Sequence, residues 1–96
     1  MTTKAIYPGT FDPITRGHID LAERAGVIFN EVVVAISASP AKEPLFSLEE
    51  RLDMARLSLS HVDNITITGF DGLLIDCVHN AGAQVVLRGL RAVSDF

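Results

Sequence analysis

The sequence predicts an α/β domain built on a parallel sheet, and two observations carry that prediction. Short apolar runs alternate with helical patterns along the chain, and one run, Val32-Val33-Val34-Ala35-Ile36, is continuous and rich in β-branched side chains, as a strand buried on both faces requires. Ala5 to Tyr7 is the first strand, ending at Pro8-Gly9. A helix from about Gly17 to Phe29 follows, with His18, Leu21, Ala22, Ala25, Ile28 and Phe29 on one face at three- and four-residue spacing. Val32 to Ile36 is the second strand, and Ser39 to Phe46 is a loop. Ser47-Leu48-Glu49-Glu50 forms a capping box that opens a helix whose Leu48, Leu52, Ala55 and Leu59 face the core. Asn64 to Thr68 is the third strand, its isoleucines alternating with threonines. Asp71 is placed to cap a third helix in which Leu74, Cys77, Val78 and Ala81 share a face, and Gly82 suits its C-terminal end. Gln84-Val85-Val86-Leu87 is the fourth strand.

The order β-α-β-α-β-α-β implies right-handed crossovers and a Rossmann-like, doubly wound parallel sheet with helices on both faces. Leu90 to Phe96 reads as the first turns of a fourth helix. Residues 1–96 are therefore expected to form one domain that lacks its last strand and C-terminal helices.

With 96 residues, 48% of them apolar, the chain supports one modest core and is not a disordered segment. A formal charge of -4 argues against general binding to nucleic acid or an anionic membrane, so any basic site must be local. The single cysteine, Cys77, excludes an internal disulfide, and no Cys/His spacing suggests a zinc site; no protein metal ligands are expected. Without an apolar signal core or a run of membrane-spanning length, a soluble cytoplasmic protein is expected.

The most informative stretch is Tyr7-Pro8-Gly9-Thr10-Phe11-Asp12-Pro13-Ile14-Thr15-Arg16-Gly17-His18, which joins the first strand to the first helix. A helix start above a strand end aims unpaired N–H groups at an anion. Gly17 allows close approach of backbone, and His18 offers a ring nitrogen to the same place. Neither G-x-x-x-x-G-K-[ST] nor G-x-G-x-x-G occurs, so a nucleotide site here is of another kind.

Ligands of open parallel sheets sit above the carboxyl ends of the strands. Gly9, Thr10, Phe11 and His18 follow the first strand, Ser39 and Lys42 the second, Gly72, Leu73 and Leu74 the third, and Arg88, Gly89 and Arg91 the fourth. Three of eight basic residues thus stand just beyond strand ends, suited to phosphates. Taken alone, Lys42 beside Glu43 reads as a solvated lysine. Arg88, ending a strand expected to be buried, would need an anionic partner, either a ligand or Asp71 or Asp95. His61, His79 and Cys77 read as structural, and Glu49, Glu50, Arg51, Asp53 and Arg56 as a solvated helix face with local ion pairs.

These residues together resemble the bacterial phosphopantetheine adenylyltransferases of the nucleotidyltransferase superfamily. The resemblance rests on Tyr7-Pro8-Gly9-Thr10-Phe11-Asp12-Pro13, the Thr15-x-Gly17-His18 form of the H-x-G-H motif, Ser39-Pro40-x-Lys42, Ser47-Leu48-Glu49-Glu50-Arg51, and Arg88-Gly89-Leu90-Arg91-Ala92-Val93-x-Asp95-Phe96. It implies transfer of the adenylyl group of ATP to 4'-phosphopantetheine, giving dephospho-coenzyme A and pyrophosphate with Mg²⁺ assisting. It further implies that Thr10, Lys42, Leu74 and Arg88 hold the pantetheine substrate, that Thr10, Phe11, Gly17, His18, Gly89 and Arg91 meet ATP, and that His18, Lys42 and Arg88 carry the catalysis. Dephospho-coenzyme A and coenzyme A are the implied product-like ligands, and a homohexamer the implied assembly of the complete protein. The family's second half, with a further strand and triphosphate contacts, has no counterpart in these residues. Two alternatives stand beside this reading: another adenylyl- or cytidylyltransferase of the superfamily, and an inactive nucleotide-binding module.

Overall fold

Val32, Val33, Val34, Ala35 and Ile36 are all buried, and the strand they form lies inside the sheet, as a run without polar alternation demands. The computed structural model describes residues 3–38 and 43–89. Its elements are β1 (Lys4–Gly9), α1 (Arg16–Ile28), β2 (Glu31–Ser37), α2 (Leu48–Ser58), β3 (Ile65–Phe70), α3 (Leu74–Ala81) and β4 (Val85–Val86). The four strands pair in parallel in the order β3-β2-β1-β4. The strand pleat sorts the core into two layers. Tyr7, Val34 and Ile36 point to one face, where Ala22 of α1 and Leu52, Ala55 and Leu59 on and just after α2 cover them; Ile6, Val33 and Ala35 point to the other, under Cys77, Val78 and Ala81 of α3. The expected doubly wound α/β sheet is thus present.

Several boundaries differ from expectation, each for a local reason. β1 does not stop at Tyr7 but runs through Pro8 and Gly9, which stay in register with Ala35 and Ile36. Lys4 and Ile6 turn their carbonyls toward the β4 side, where Gln84 and Leu87 donate to them. Pro8, two residues on, has the same orientation, but the β1–β4 ladder ends at Ile6 and Val86, so its missing N–H leaves no ladder position empty. Ile28 is not part of the buried face of α1: it is 73% exposed, and the helix buries Ala22 and Ala25 instead. Asp71 does not cap α3. Gly72, at φ +95°, turns the chain after β3, and the cap falls on Leu73, without a side-chain hydrogen bond. Gly82 ends α3 in the left-handed conformation, as expected. β4 is an edge strand among the described residues, with Val86 42% exposed and Arg88 exposed, so Arg88 does not end a buried strand. Among the described residues no helix is long and apolar enough to cross a membrane.

Candidate functional site

Strand order reverses between β1 and β4, and a crevice opens there above the carboxyl ends of the strands. It holds a cavity of about 580 Å³, lined by Tyr7, Pro8, Gly9, Thr10 and Phe11 from β1 and its following loop, by Gly17, His18, Asp20, Leu21 and Arg24 from α1, and by Gly89 after β4.

The floor of the cavity is aromatic. Phe11 is 4% exposed and, unusually for a residue with a side chain, has φ +48°. That turn carries its ring back over the strand end, edge-to-face against Tyr7 (centroids 5.1 Å apart) and against His18 (4.8 Å). Two glycines make room for this packing. A Cβ at Gly9 would lie 3.0 Å from the Phe11 ring, and one at Gly89 would lie 3.1 Å from the Tyr7 hydroxyl.

The wall is the start of α1. Thr15 is the N-cap and His18 the third helical residue, and they form a reciprocal capping box: the His18 amide donates to Thr15 Oγ1 (3.4 Å), while the Thr15 amide donates to His18 Nδ1 (3.0 Å). The second bond settles the chemistry of the ring. Nδ1 accepts from a backbone N–H and so carries no proton, which leaves the proton of the neutral imidazole on Nε2. Nε2 makes no hydrogen bond among the described residues and is the donor that this cavity-lining side chain has to offer. Burial also lowers the His18 pKa from its ordinary value, favouring the same neutral form. The amides of Arg16 and Gly17 precede the first intrahelical hydrogen bonds and add their partial positive charge. Farther along the helix, Asp20 and Arg24 pair at 3.2 Å on the exposed rim.

Beneath the floor, two side chains not read as site residues hold the loops together. Asp12 accepts the amides of Leu45 and Phe46 (2.6 and 2.9 Å), tying the segment before α2 to the loop after β1. Arg51, expected on a solvated face, is 1% exposed and donates to the carbonyls of Thr10 (3.0 Å), Ser37 (2.8 Å) and Phe46 (3.0 Å). Carbonyls from three separate segments, after β1, at the end of β2 and before α2, meet there, and a guanidinium fork can satisfy all of them. Its sequence neighbours gave no sign of this, since Arg56 and Asp53 do form the expected exposed ion pair, 3.4 Å apart.

The structure thus brings Thr10, Phe11, Gly17, His18 and Gly89 together in one cavity. Leu74, half-buried at the start of α3, and Arg88 are not among the residues lining it, and Lys42 and Arg91 lie outside the described residues. Asp20, Leu21 and Arg24 line it without having been singled out as site residues; Asp20 and Leu21 stand at i+3 and i+4 from Gly17 and Arg24 at i+7, on the same helical face, and that spacing was the available signal. Among the described residues no group of three or more His, Cys, Asp or Glu side chains converges as a metal site.

Comparison with known proteins agrees with this architecture. Residues 6–96 match the family model described as cytidylyltransferase-like. A phosphopantetheine adenylyltransferase of Heliobacterium modesticaldum is 53% identical over 94 residues, which are 98% of this chain but 56% of that protein. The chain therefore spans a little over half the length of this curated relative. Among solved structures, a lipopolysaccharide core biosynthesis protein from Thermoplasma volcanium aligns with a TM-score of 0.72 at 25% identity, covering 90% of this chain and 73% of the other. The Plasmodium falciparum nicotinic acid mononucleotide adenylyltransferase complexed with NaAD aligns with a TM-score of 0.68 at 20% identity, covering 84% and 45%, a likeness of fold.

Proposed function

The chain belongs to the cytidylyltransferase-like family, and from that premise we propose that it transfers the adenylyl group of ATP to 4'-phosphopantetheine, giving dephospho-coenzyme A and pyrophosphate. The observation that carries this reading is the His18 Nε2–H, held by its capping box above an aromatic floor and beside the free amides of a helix start.

In such a transfer a phosphate oxygen of the acceptor forms a bond to the α-phosphorus of ATP. The bond from that phosphorus to the bridging oxygen breaks, and pyrophosphate leaves with the electron pair. The nucleophile is already an anion, so no base is required; the protein has to align two negatively charged groups and stabilise the charge of the transition state. His18 suits the α-phosphate, together with the Arg16 and Gly17 amides. Phe11, Gly17, Gly89 and Arg91 are assigned to ATP, Leu74 to the pantetheine arm, Thr10 to both reactants, and Lys42 and Arg88 to offsetting the repulsion between phosphates. Magnesium belongs to the substrate in this scheme, carried in on the triphosphate. A hexameric, cytoplasmic complete enzyme follows from the same family reading.

One observation favours a second reading, nucleotide binding without transfer: the cavity is lined by Phe11, Gly17, His18 and Gly89, all assigned here to ATP, whereas Leu74 and Arg88, expected to hold the acceptor, are not among its lining residues. Pyrophosphate release with ATP, Mg²⁺ and 4'-phosphopantetheine tests the proposal. Release that depends on the acceptor supports transfer, and ATP binding without release supports the second reading.

A further inference from the structure

Arg51 is buried to 1% exposure, and its three hydrogen bonds all go to carbonyls; it forms none of the ion pairs found among the described residues. A buried cation held by carbonyls alone is a costly way to attach a helix, where an apolar side chain would serve. Its effect on peptide orientation gives it another use. In a trans peptide the carbonyl and the following N–H point in opposite directions, so each carbonyl that Arg51 captures turns the next amide outward. After Ser37, the Ala38 amide finds the Phe70 carbonyl at 2.7 Å. After Phe46, the Ser47 amide finds Glu50 Oε1 at 3.0 Å. After Thr10, the Phe11 amide finds no acceptor among the described residues, and both Thr10 and Phe11 line the cavity. Phe11 also holds the φ of +48° that a residue with a side chain adopts only when its surroundings impose it.

We propose that Arg51 is a positioning residue, which fixes the Thr10-Phe11 peptide plane so that the Phe11 N–H stands ready as a donor to a diphosphate or triphosphate in the cavity. The inference rests on the nucleotide reading above, with Arg51 touching no ligand itself. Its charge contributes a further attraction, which no carboxylate pairs with among the described residues.

The test uses the ¹⁵N-labelled 96-residue chain, titrated with inorganic pyrophosphate and with MgATP, following the Phe11, Gly17 and His18 amides by NMR, for the wild type, Arg51→Lys and Arg51→Met. In the wild type all three amides are expected to shift on saturation. Arg51→Lys keeps a positive charge but loses the planar fork, and is expected to bind pyrophosphate roughly ten- to a hundredfold more weakly, with the Phe11 response lost and those of Gly17 and His18 kept. A variant that binds as the wild type does, with an unchanged Phe11 shift, overturns the proposal. So does a wild-type Phe11 amide that stays still while Gly17 and His18 move, a result that stands whether or not either variant folds and that leaves the nucleotide reading intact. If none of the three amides responds to either ligand, both readings fall.

Discussion

Gly9→Ala puts the packing of the candidate site to a quantitative test. The new Cβ would lie 3.0 Å from Phe11 Cε2, 3.2 Å from Cζ and 3.4 Å from Cδ2. Carbon atoms in good contact are roughly 3.5–4.0 Å apart, so the ring must retreat by about half an ångström. The ring is not free to do so, because Tyr7 and His18 already meet it edge-to-face at 5.1 and 4.8 Å and Phe11 is 4% exposed. Overpacking of this kind costs about 1–3 kcal/mol. For a domain of 96 residues each kcal/mol lowers Tm by about 4–8 °C, giving an expected fall of roughly 5–20 °C. Thermal and urea unfolding measure it directly. A double-mutant cycle then assigns the cost to the contact: Phe11→Leu removes the ε and ζ carbons, so Gly9→Ala should cost less in that background, with a coupling of at least about 0.5 kcal/mol. Equal stability of Gly9→Ala and the wild type, or strict additivity with Phe11→Leu, refutes the packing described.

Two further predictions concern His18 and the far end of α1. The His18 pKa is lowered from 6.5 by burial, so in the interval between its folded value and 6.5 the unfolded chain holds a proton that the folded chain does not. Stability should therefore fall as pH is lowered through that interval. His18→Asn, which keeps an acceptor for the Thr15 amide, should lose less stability between about pH 7.5 and about pH 5.5 in urea titrations. Asn64 donates through Nδ2 to the carbonyls of Gly26 (2.7 Å) and Phe29 (3.1 Å) at the end of α1, so Asn64→Asp, which has no donor and brings a charge, should cost about 1–3 kcal/mol in chemical unfolding.

Much of the fold was legible in the residues because it is written in local signals. The buried run at Val32 to Ile36, the capping box at Ser47 and Glu50, and Gly82 at the end of α3 each specify their element from within a few positions. What escaped was set by distance in the chain. Arg51 sits among exposed Glu49, Glu50 and Asp53 and shares their helical surroundings, yet its acceptors lie 41 and 14 residues away at Thr10 and Ser37. Asp71 is a sound capping residue by type, but Gly72 turns the chain before the helix can begin. At the site, Gly17 and His18 announce a helix start suited to an anion, whereas the left-handed turn of Phe11 depends on Gly9, Tyr7 and His18 closing around its ring.

The central claim is that His18 presents Nε2–H to a phosphate undergoing transfer, and pyrophosphate release tests it most directly. The assay holds ATP, Mg²⁺ and this chain, with and without 4'-phosphopantetheine, and compares the wild type with His18→Ala. The account predicts release that requires the acceptor, a fall of roughly a hundredfold or more in turnover for His18→Ala, and a smaller effect on ATP affinity. Acceptor-dependent release at near-normal turnover in His18→Ala would contradict it.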